Sequence, residues 1–108
     1  MIKTMSFLGV PGDTYRVAST DAAQSVSSSV LTSAGRTLQG LMLSVDTNPV
    51  RIAFSTAPTQ GTSGTGHTLQ KDQDPVIIHG ADLCEDLQFI SATASTHGGL
   101  QITPLYST

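Results

Sequence analysis

The sequence predicts an all-β fold, a single antiparallel β-sandwich or jelly-roll-like domain over residues 1–108. Three observations lead to this prediction. Apolar and polar residues alternate in short runs, glycine and proline separate the runs, and no segment has the sustained spacing of a dependable helix. A parallel sheet would need crossover connections of about a dozen residues or more, usually helical. Antiparallel pairing of about six to eight short strands is therefore expected.

Alternation identifies five strands in chain order. They are "TYRVAS", "RTLQGLMLSVD", "VRIAFS", "LQFISATAS" and "LQITPLY". A further strand is predicted in "PVIIHG", a short apolar run that Gly80 ends. One face of each alternating run is apolar and is expected to be buried; its residues are Tyr15, Val17, Leu41, Leu43, Val45, Ile52, Phe54, Leu87, Phe89, Leu100, Ile102 and Tyr106.

Two connections have the turn chemistry of hairpins. "DTNP", from Asp46 to Pro49, combines side chains that bond to nearby backbone with a proline that cannot donate to a central ladder. "THGG", from Thr96 to Gly99, joins the last two strands, and its paired glycines tolerate a positive φ. Both are predicted to be hairpins.

The segment "TDAAQSVSSSVLTSAG" is compatible with two structures. A helix could begin at Asp21, with Gln24 completing a capping box. The alternative is a strand, because Val26, Ser28 and Val30 alternate and a run of serines is a poor helix interior. The strand is the favoured prediction.

The N-terminal residues 1–12 have two interpretations. The short apolar segment "MSFLGVPG", from Met5 to Gly12, is either an arm that reaches a neighbouring subunit or an ordinary first strand. It is too short for a signal-peptide core and lacks a small-residue cleavage pattern. No stretch approaches the roughly 20 apolar residues of a membrane span. We therefore expect no membrane partner and a chain kept in a reducing cytoplasm.

The composition bears on the kind of partner. Charged residues make up 12% of the chain, where a globular domain typically has about 25%, and serine and threonine make up about a quarter. Hydroxyl groups cost less to desolvate than unpaired charges, so this composition suits a surface that packs against other proteins. The net charge of -3 and five scattered basic residues argue against nucleic-acid binding.

The stretch "GTSGTGHT", Gly61 to Thr68, has the spacing of a phosphate-binding loop, except that His67 replaces the lysine. Such a loop holds an anion at the start of a helix. The stretch leads instead into "LQKDQDP", where Pro75 would end any helix. The expectation is no nucleotide and no cofactor, but a long flexible loop from Ala57 to Asp74 that contacts another protein.

No catalytic or metal-binding residue is predicted, and the protein is not expected to be an enzyme. His67, His79 and His97 lack the spacing of a metal site. Cys84 is the only cysteine and is expected to be a small buried residue. Its neighbours Asp82, Glu85 and Asp86 would disfavour the thiolate and are expected in a solvated loop, as are Asp72 and Asp74.

The segments "NPVRIAFSTAPT", "GHTLQKDQDPVIIHG", "LQFISATAS" and "GGLQITPLY" resemble small all-β virion proteins from the structural modules of tailed bacteriophages. The resemblance runs from about Asn48 to Tyr106 and consists of strands and turns rather than a catalytic motif. The sequence departs from the pattern near Lys71, where a glycine would be expected, and at Pro104 in the last strand.

The resemblance implies a structural protein of the virion, assembled in the host cytoplasm. The implied role is capsid decoration, in which a homo-oligomer such as a trimer binds the major capsid protein. One alternative is a head–tail, tail or receptor-binding accessory component. Another is a cupin-like barrel that binds a ligand or metal through His67, His79 and the long loop, and that could be an enzyme. The predicted protein-contact residues are Met5, Phe7, Leu8, Arg51, Thr62, Thr65 and His67.

Overall fold

The computed structural model describes residues 10–32 and 35–107, except for the side chain of Val30. This part of the chain forms nine strands and two short helices, with no helix long and apolar enough to cross a membrane. The elements are β1 (Val10–Pro11), β2 (Tyr15–Ala18), β3 (Gln24–Ser25), α1 (Ser28–Leu31), β4 (Leu38–Asp46), β5 (Val50–Phe54), β6 (His67–Leu69), β7 (Val76–His79), α2 (Ala81–Asp86), β8 (Leu87–Ser91) and β9 (Gly99–Tyr106).

The strands form two antiparallel sheets. In the first sheet β9 lies between β4 and the pair β1 and β2, and β7 follows β4; the second sheet has the order β3, β8, β5, β6. The partners are nested, since β2 pairs with β9, β3 with β8, β4 with β7, and β5 with β6. Together the nested pairs form one long hairpin, which is rolled up so that β9 also pairs with β4 and β8 also pairs with β5. Such nesting is the jelly-roll arrangement, and the predicted fold is confirmed.

The core lies between the inner faces of the sheets. Leu41 and Leu43 of β4 face it from the first sheet, and Leu87 and Phe89 of β8 face it from the second, all with no exposed surface. Burying each such side chain contributes about 1.5–3 kcal/mol. The predicted apolar faces are confirmed except at Tyr15, which pairs with Ile102 at the sheet edge and is 40% exposed; Val17 and Phe54 are only partly buried but pack against the core.

The two predicted hairpins are wrong, because both connections are corners between the sheets. The turn at 46–49 carries the chain from β4 to β5, and the turn at 96–99 from β8 to β9. Thr47 has a φ of 69°, and the backbone N–H of Asn48 donates to Asp46 (2.9 Å). The Asn48 side-chain amide donates to the carbonyl of His97 (2.9 Å), which joins the two corners.

Residues 20–32 are neither the long strand nor the helix from Asp21 that the sequence predicts. The strand is limited to Gln24–Ser25, and one turn of helix follows from Ser28. Ser27 caps this helix by accepting a bond from the backbone N–H of Ser29 (3.3 Å). Serine side chains compete for backbone groups in this way, which favours helix starts over helix interiors.

The loop predicted for the acidic residues after Gly80 is also wrong, because Ala81–Asp86 form helix α2. Asp82 lies in the first turn, where a negative charge is favourable to the helix dipole. Cys84 points into the core with no exposed surface, so its prediction as a small buried residue is confirmed. Burial, with a smaller contribution from Glu85, raises the pKa of the Cys84 thiol to about 11.

Pro104 lies in β9, a central strand, where a missing N–H would normally interrupt the sheet. The strand that neighbours β9 on this side is itself interrupted there, between β1 and β2. Gly12 donates its backbone N–H to the Pro104 carbonyl (2.8 Å), and the Thr14 and Thr103 hydroxyls lie 2.6 Å apart. The proline is therefore accommodated opposite a break in its partner strand.

Candidate contact surface

Residues 55–66, between β5 and β6, fold around the side chain of Arg51. Arg51 lies on the outer face of the second sheet, opposite Thr68 of β6. Its Nε donates to the Thr68 hydroxyl (3.1 Å), and its terminal nitrogen donates to the carbonyls of Thr59 (2.6 Å) and Gly61 (3.0 Å). The carbonyl oxygens of the loop thus converge on a positive charge.

This polarity is the reverse of a phosphate loop, in which backbone N–H groups converge on an anion. Strand β6 begins at His67, at the point where a phosphate loop would continue into a helix. The glycines have another role. A Cβ on Gly64 would collide with the Arg51 guanidinium and the Thr59 carbonyl, and one on Gly66 would lie 2.7 Å from Arg51 Cγ. They let the loop close tightly around Arg51.

The loop makes further hydrogen bonds, and the predicted loop over 57–74 is interrupted by strand β6, while its flexibility stays a prediction. Its Gly61 N–H donates to the carbonyl of Ala92 (3.0 Å), beyond the end of β8. The Gln60 side chain donates to Asp21 (2.9 Å), which also accepts from the backbone of Ser95 (2.9 Å). These two bonds, that of Gln60 first, lower the pKa of the Asp21 carboxyl.

The predicted contact residues have different positions in the fold. Thr62, Thr65 and His67 are exposed on or beside the loop. Arg51 is half-buried and holds the loop from inside. Partner contact by the exposed residues stays a prediction, and Met5, Phe7 and Leu8 lie outside the described residues.

A second exposed surface, which we call the β7–α2 edge, is formed by residues 76–86. Strand β7 is the last strand of the first sheet in the described part of the chain. Gly80 donates its N–H to Gln39 (2.8 Å), so by alternation the backbone groups of Ile77 and His79 point away from β4. Ile77 is 40% exposed, and Leu83 of α2 is 45% exposed. The run "PVIIHG" predicts a strand, but a sheet edge depends on non-local pairing that the sequence does not reveal.

The three histidines occupy separate parts of the sandwich. His67 begins β6, His79 ends β7, and His97 lies in the corner between β8 and β9. Among residues 10–32 and 35–107, no three His, Cys, Asp or Glu side chains form a group that could hold a metal ion. The cupin-like alternative therefore gains no support from the described residues.

A serine–histidine cluster lies at the same corner. The hydroxyls of Ser19 and Ser91 are 2.7 Å apart, and the Ser91 hydroxyl is 2.7 Å from Nδ1 of His97. Ser91 has no exposed surface and Ser19 is 1% exposed, so a substrate could not reach either hydroxyl in this structure. The cluster therefore serves to join the end of β2 to β8 and to the following corner.

Removing the Ser19 hydroxyl is expected to be more destabilising than removing that of Ser91. Ser19 accepts the buried backbone N–H of Gly98 (2.9 Å), and alanine would leave this N–H without its acceptor, at a cost of about 1–3 kcal/mol. Ser91→Ala removes bonds to Ser19 and to His97, which is exposed and can bond to water, so about 0.5–1.5 kcal/mol is expected. Urea denaturation of both variants measures the difference. Equal losses would contradict this ranking.

Comparison with protein-family models, curated proteins and solved structures finds no match to this chain.

Proposed function

We propose that this protein is a non-enzymatic structural component of a bacteriophage virion, a decoration protein that binds the major capsid protein as a homo-oligomer. The observation that carries the proposal is the β7–α2 edge, where a strand edge adjoins the exposed side chains of Ile77 and Leu83. The resemblance of residues 48–106 to phage virion proteins supports the viral context. Jelly rolls recur in viral capsids, although a fold alone does not define a function.

The chemistry of the β7–α2 edge favours association. Proteins usually protect a sheet edge with lysine, proline or a bulge, because its unpaired backbone groups can pair with another chain. Pro75 and the short length of β7 limit the free edge to the four residues 76–79, "VIIH", and these contain neither lysine nor proline. A strand from a neighbouring subunit would gain main-chain hydrogen bonds here, and the apolar side chains would gain burial. We assign subunit association to this edge.

The loop around Arg51 is the proposed contact with the capsid protein. Because Arg51 holds the loop, its exposed residues Thr62 and Thr65 need little further ordering when they bind. Preorganisation of this kind reduces the entropy lost on association. Hydroxyl groups at the contact also avoid the cost of desolvating charges.

Substitution of Ile77 by lysine tests the assembly role. We expect the wild-type protein to be an oligomer by light scattering, and Ile77→Lys to be a folded monomer with an unchanged β-sheet circular dichroism spectrum. Tyr15→Lys is the matched control, since Tyr15 is also 40% exposed but lies at the opposite edge of the first sheet. This control should remain oligomeric.

Co-sedimentation with capsids of the encoding phage, stripped of accessory proteins, tests the capsid partner. Saturable binding by the wild type is expected, with weaker binding by Ile77→Lys because a monomer loses avidity. A wild-type protein that is monomeric and does not sediment with capsids would overturn the proposal. An Ile77→Lys oligomer would overturn the assignment of this edge.

A further inference from the structure

An open cleft of about 330 Å³ lies at the edge of the first sheet opposite β7. Its lining includes Asp13, Tyr15, Thr32, Arg36, Pro104 and Tyr106. Small-molecule sites typically have volumes of about 300–1,000 Å³, so the cleft is large enough for a small ligand.

The cleft is built on the interruption between β1 and β2. Gly12 forms part of its wall, and a Cβ there would lie 2.9 Å from the ring of Tyr106 and 3.2 Å from Pro104. Tyr15, Pro104 and Tyr106 come from strands rather than from loops. These strand residues hold the floor of the cleft in a defined geometry, whereas Asp13 and Arg36 lie in the connections before β2 and β4.

Several polar side chains that line the cleft can form further hydrogen bonds. Across residues 10–32 and 35–107, no hydrogen bond or ion pair engages the side chains of Asp13, Tyr15 or Arg36. The Thr32 hydroxyl donates to the Ser28 carbonyl (3.0 Å) and can still accept. A carboxylate, a guanidinium and a phenol are thus available to a ligand.

These groups are also close enough to interact electrostatically. Burial raises the pKa of the Tyr106 phenol; Tyr15 and Asp13 add to the increase and Arg36 opposes it. The Tyr106 phenol therefore interacts electrostatically with Tyr15, Arg36 and Asp13 around the same cleft.

The combination of charges restricts the ligand. Asp13 would repel a simple anion, and Arg36 would repel a simple cation. A neutral molecule with many hydroxyl groups satisfies both, because each hydroxyl can donate to the carboxylate and accept from the guanidinium. The lining of the cleft is mostly polar, which suits a ligand with many hydroxyl groups, and Tyr15, which is 40% exposed, adds its hydroxyl. We infer that this cleft binds a neutral saccharide through Asp13, Tyr15 and Arg36.

The test is a titration of the ¹⁵N-labelled full chain with glucose, galactose, mannose and N-acetylglucosamine, followed by NMR. At least one sugar should shift amide signals around the cleft, with a dissociation constant of about 1–10 mM for a monosaccharide in an open site. Asp13→Asn, Arg36→Gln and Tyr15→Ala should each weaken binding by about tenfold or more. The control Asp72→Asn, at an exposed position away from the cleft lining, should bind as the wild type does.

Three results would overturn the inference. The first is an absence of shifts with all four sugars. The second is shifts that the cleft variants leave unchanged. The third is binding of glucuronate or phosphate alone, lost in Arg36→Gln but not in Asp13→Asn, which would indicate an anion site. The β7–α2 edge lies at the opposite side of the first sheet from the cleft, so none of these results would decide the assembly proposal.

Discussion

Replacing Phe89 by alanine is expected to lower the free energy of unfolding by about 3–5 kcal/mol. Phe89 lies in the middle of β8 with no exposed surface, between Ile52 of β5 and Gln24 of β3. Its ring fills space between the two sheets, and the surrounding strands cannot close the cavity without breaking their register. Such a loss is a large share of the roughly 5–15 kcal/mol that stabilises a typical domain.

Phe54→Ala is the matched control for this prediction. It makes the same chemical change at the end of β5, where Phe54 is only half-buried. We expect it to cost less than half as much, because fewer contacts are lost and water can enter the space. Urea denaturation at equilibrium measures both variants if each unfolds in one transition. Similar losses at the two positions would contradict the central place of Phe89 in the core.

The strands could be predicted because alternation is a local property of the chain. The inner faces of β4, β5, β8 and β9 follow directly from the period of two in their sequences. The two corners could not be distinguished from hairpins, because the same turn residues reverse the chain in both. Which strands pair after a turn depends on contacts across the whole sandwich, and these are not encoded in the turn.

The helices were beyond prediction for a different reason. Helix α2 has six residues and α1 has four, so neither shows enough turns for helical spacing to be recognised. Isolated helices of this length are unstable in water, and tertiary contacts must hold them. The burial of Cys84 against the core supplies such a contact for α2.

The glycines and threonines of the candidate contact loop are enough to predict it. The sequence predicts Arg51, however, as a residue that contacts a partner and not as the residue that holds the loop. Arg51 belongs to the strand before the loop and alternates with the buried Val50 and Ile52. An arginine on an outer strand face is usually solvated, so the sequence does not distinguish a solvated Arg51 from one enclosed by the loop. The β7–α2 edge was missed because both its strand order and its helix depend on tertiary structure.

Replacing Arg51 by alanine is expected to lower the free energy of unfolding by about 2 kcal/mol, since bonds from a charged donor to two carbonyls and a hydroxyl are lost. The loop 55–66 should also open, and hydrogen exchange at Gly61 should become faster because its bond to Ala92 depends on the position of the loop. Arg51→Lys should have an intermediate effect, because an ammonium lacks the planar fork of the guanidinium.

Arg16→Ala provides the comparison. Arg16 makes two side-chain hydrogen bonds, both to Asp46 (2.8 Å each), against the three of Arg51, but it is exposed and its pair is screened by solvent. We expect a much smaller change in stability and no change in exchange at Gly61. Equal hydrogen exchange at Gly61 in Arg51→Ala and in the wild-type protein would show that the guanidinium does not hold the loop.

The Arg51→Ala variant also distinguishes a residue that organises the contact loop from one that contacts the capsid directly. If Arg51 acts only by holding the loop, Arg51→Ala should weaken capsid binding and accelerate exchange at Gly61 together. Thr62→Ala, at the exposed tip, should weaken capsid binding without changing that exchange. Weaker capsid binding by Arg51→Ala with normal exchange would instead make Arg51 a direct contact residue. Normal binding by both variants would exclude the loop as the contact surface.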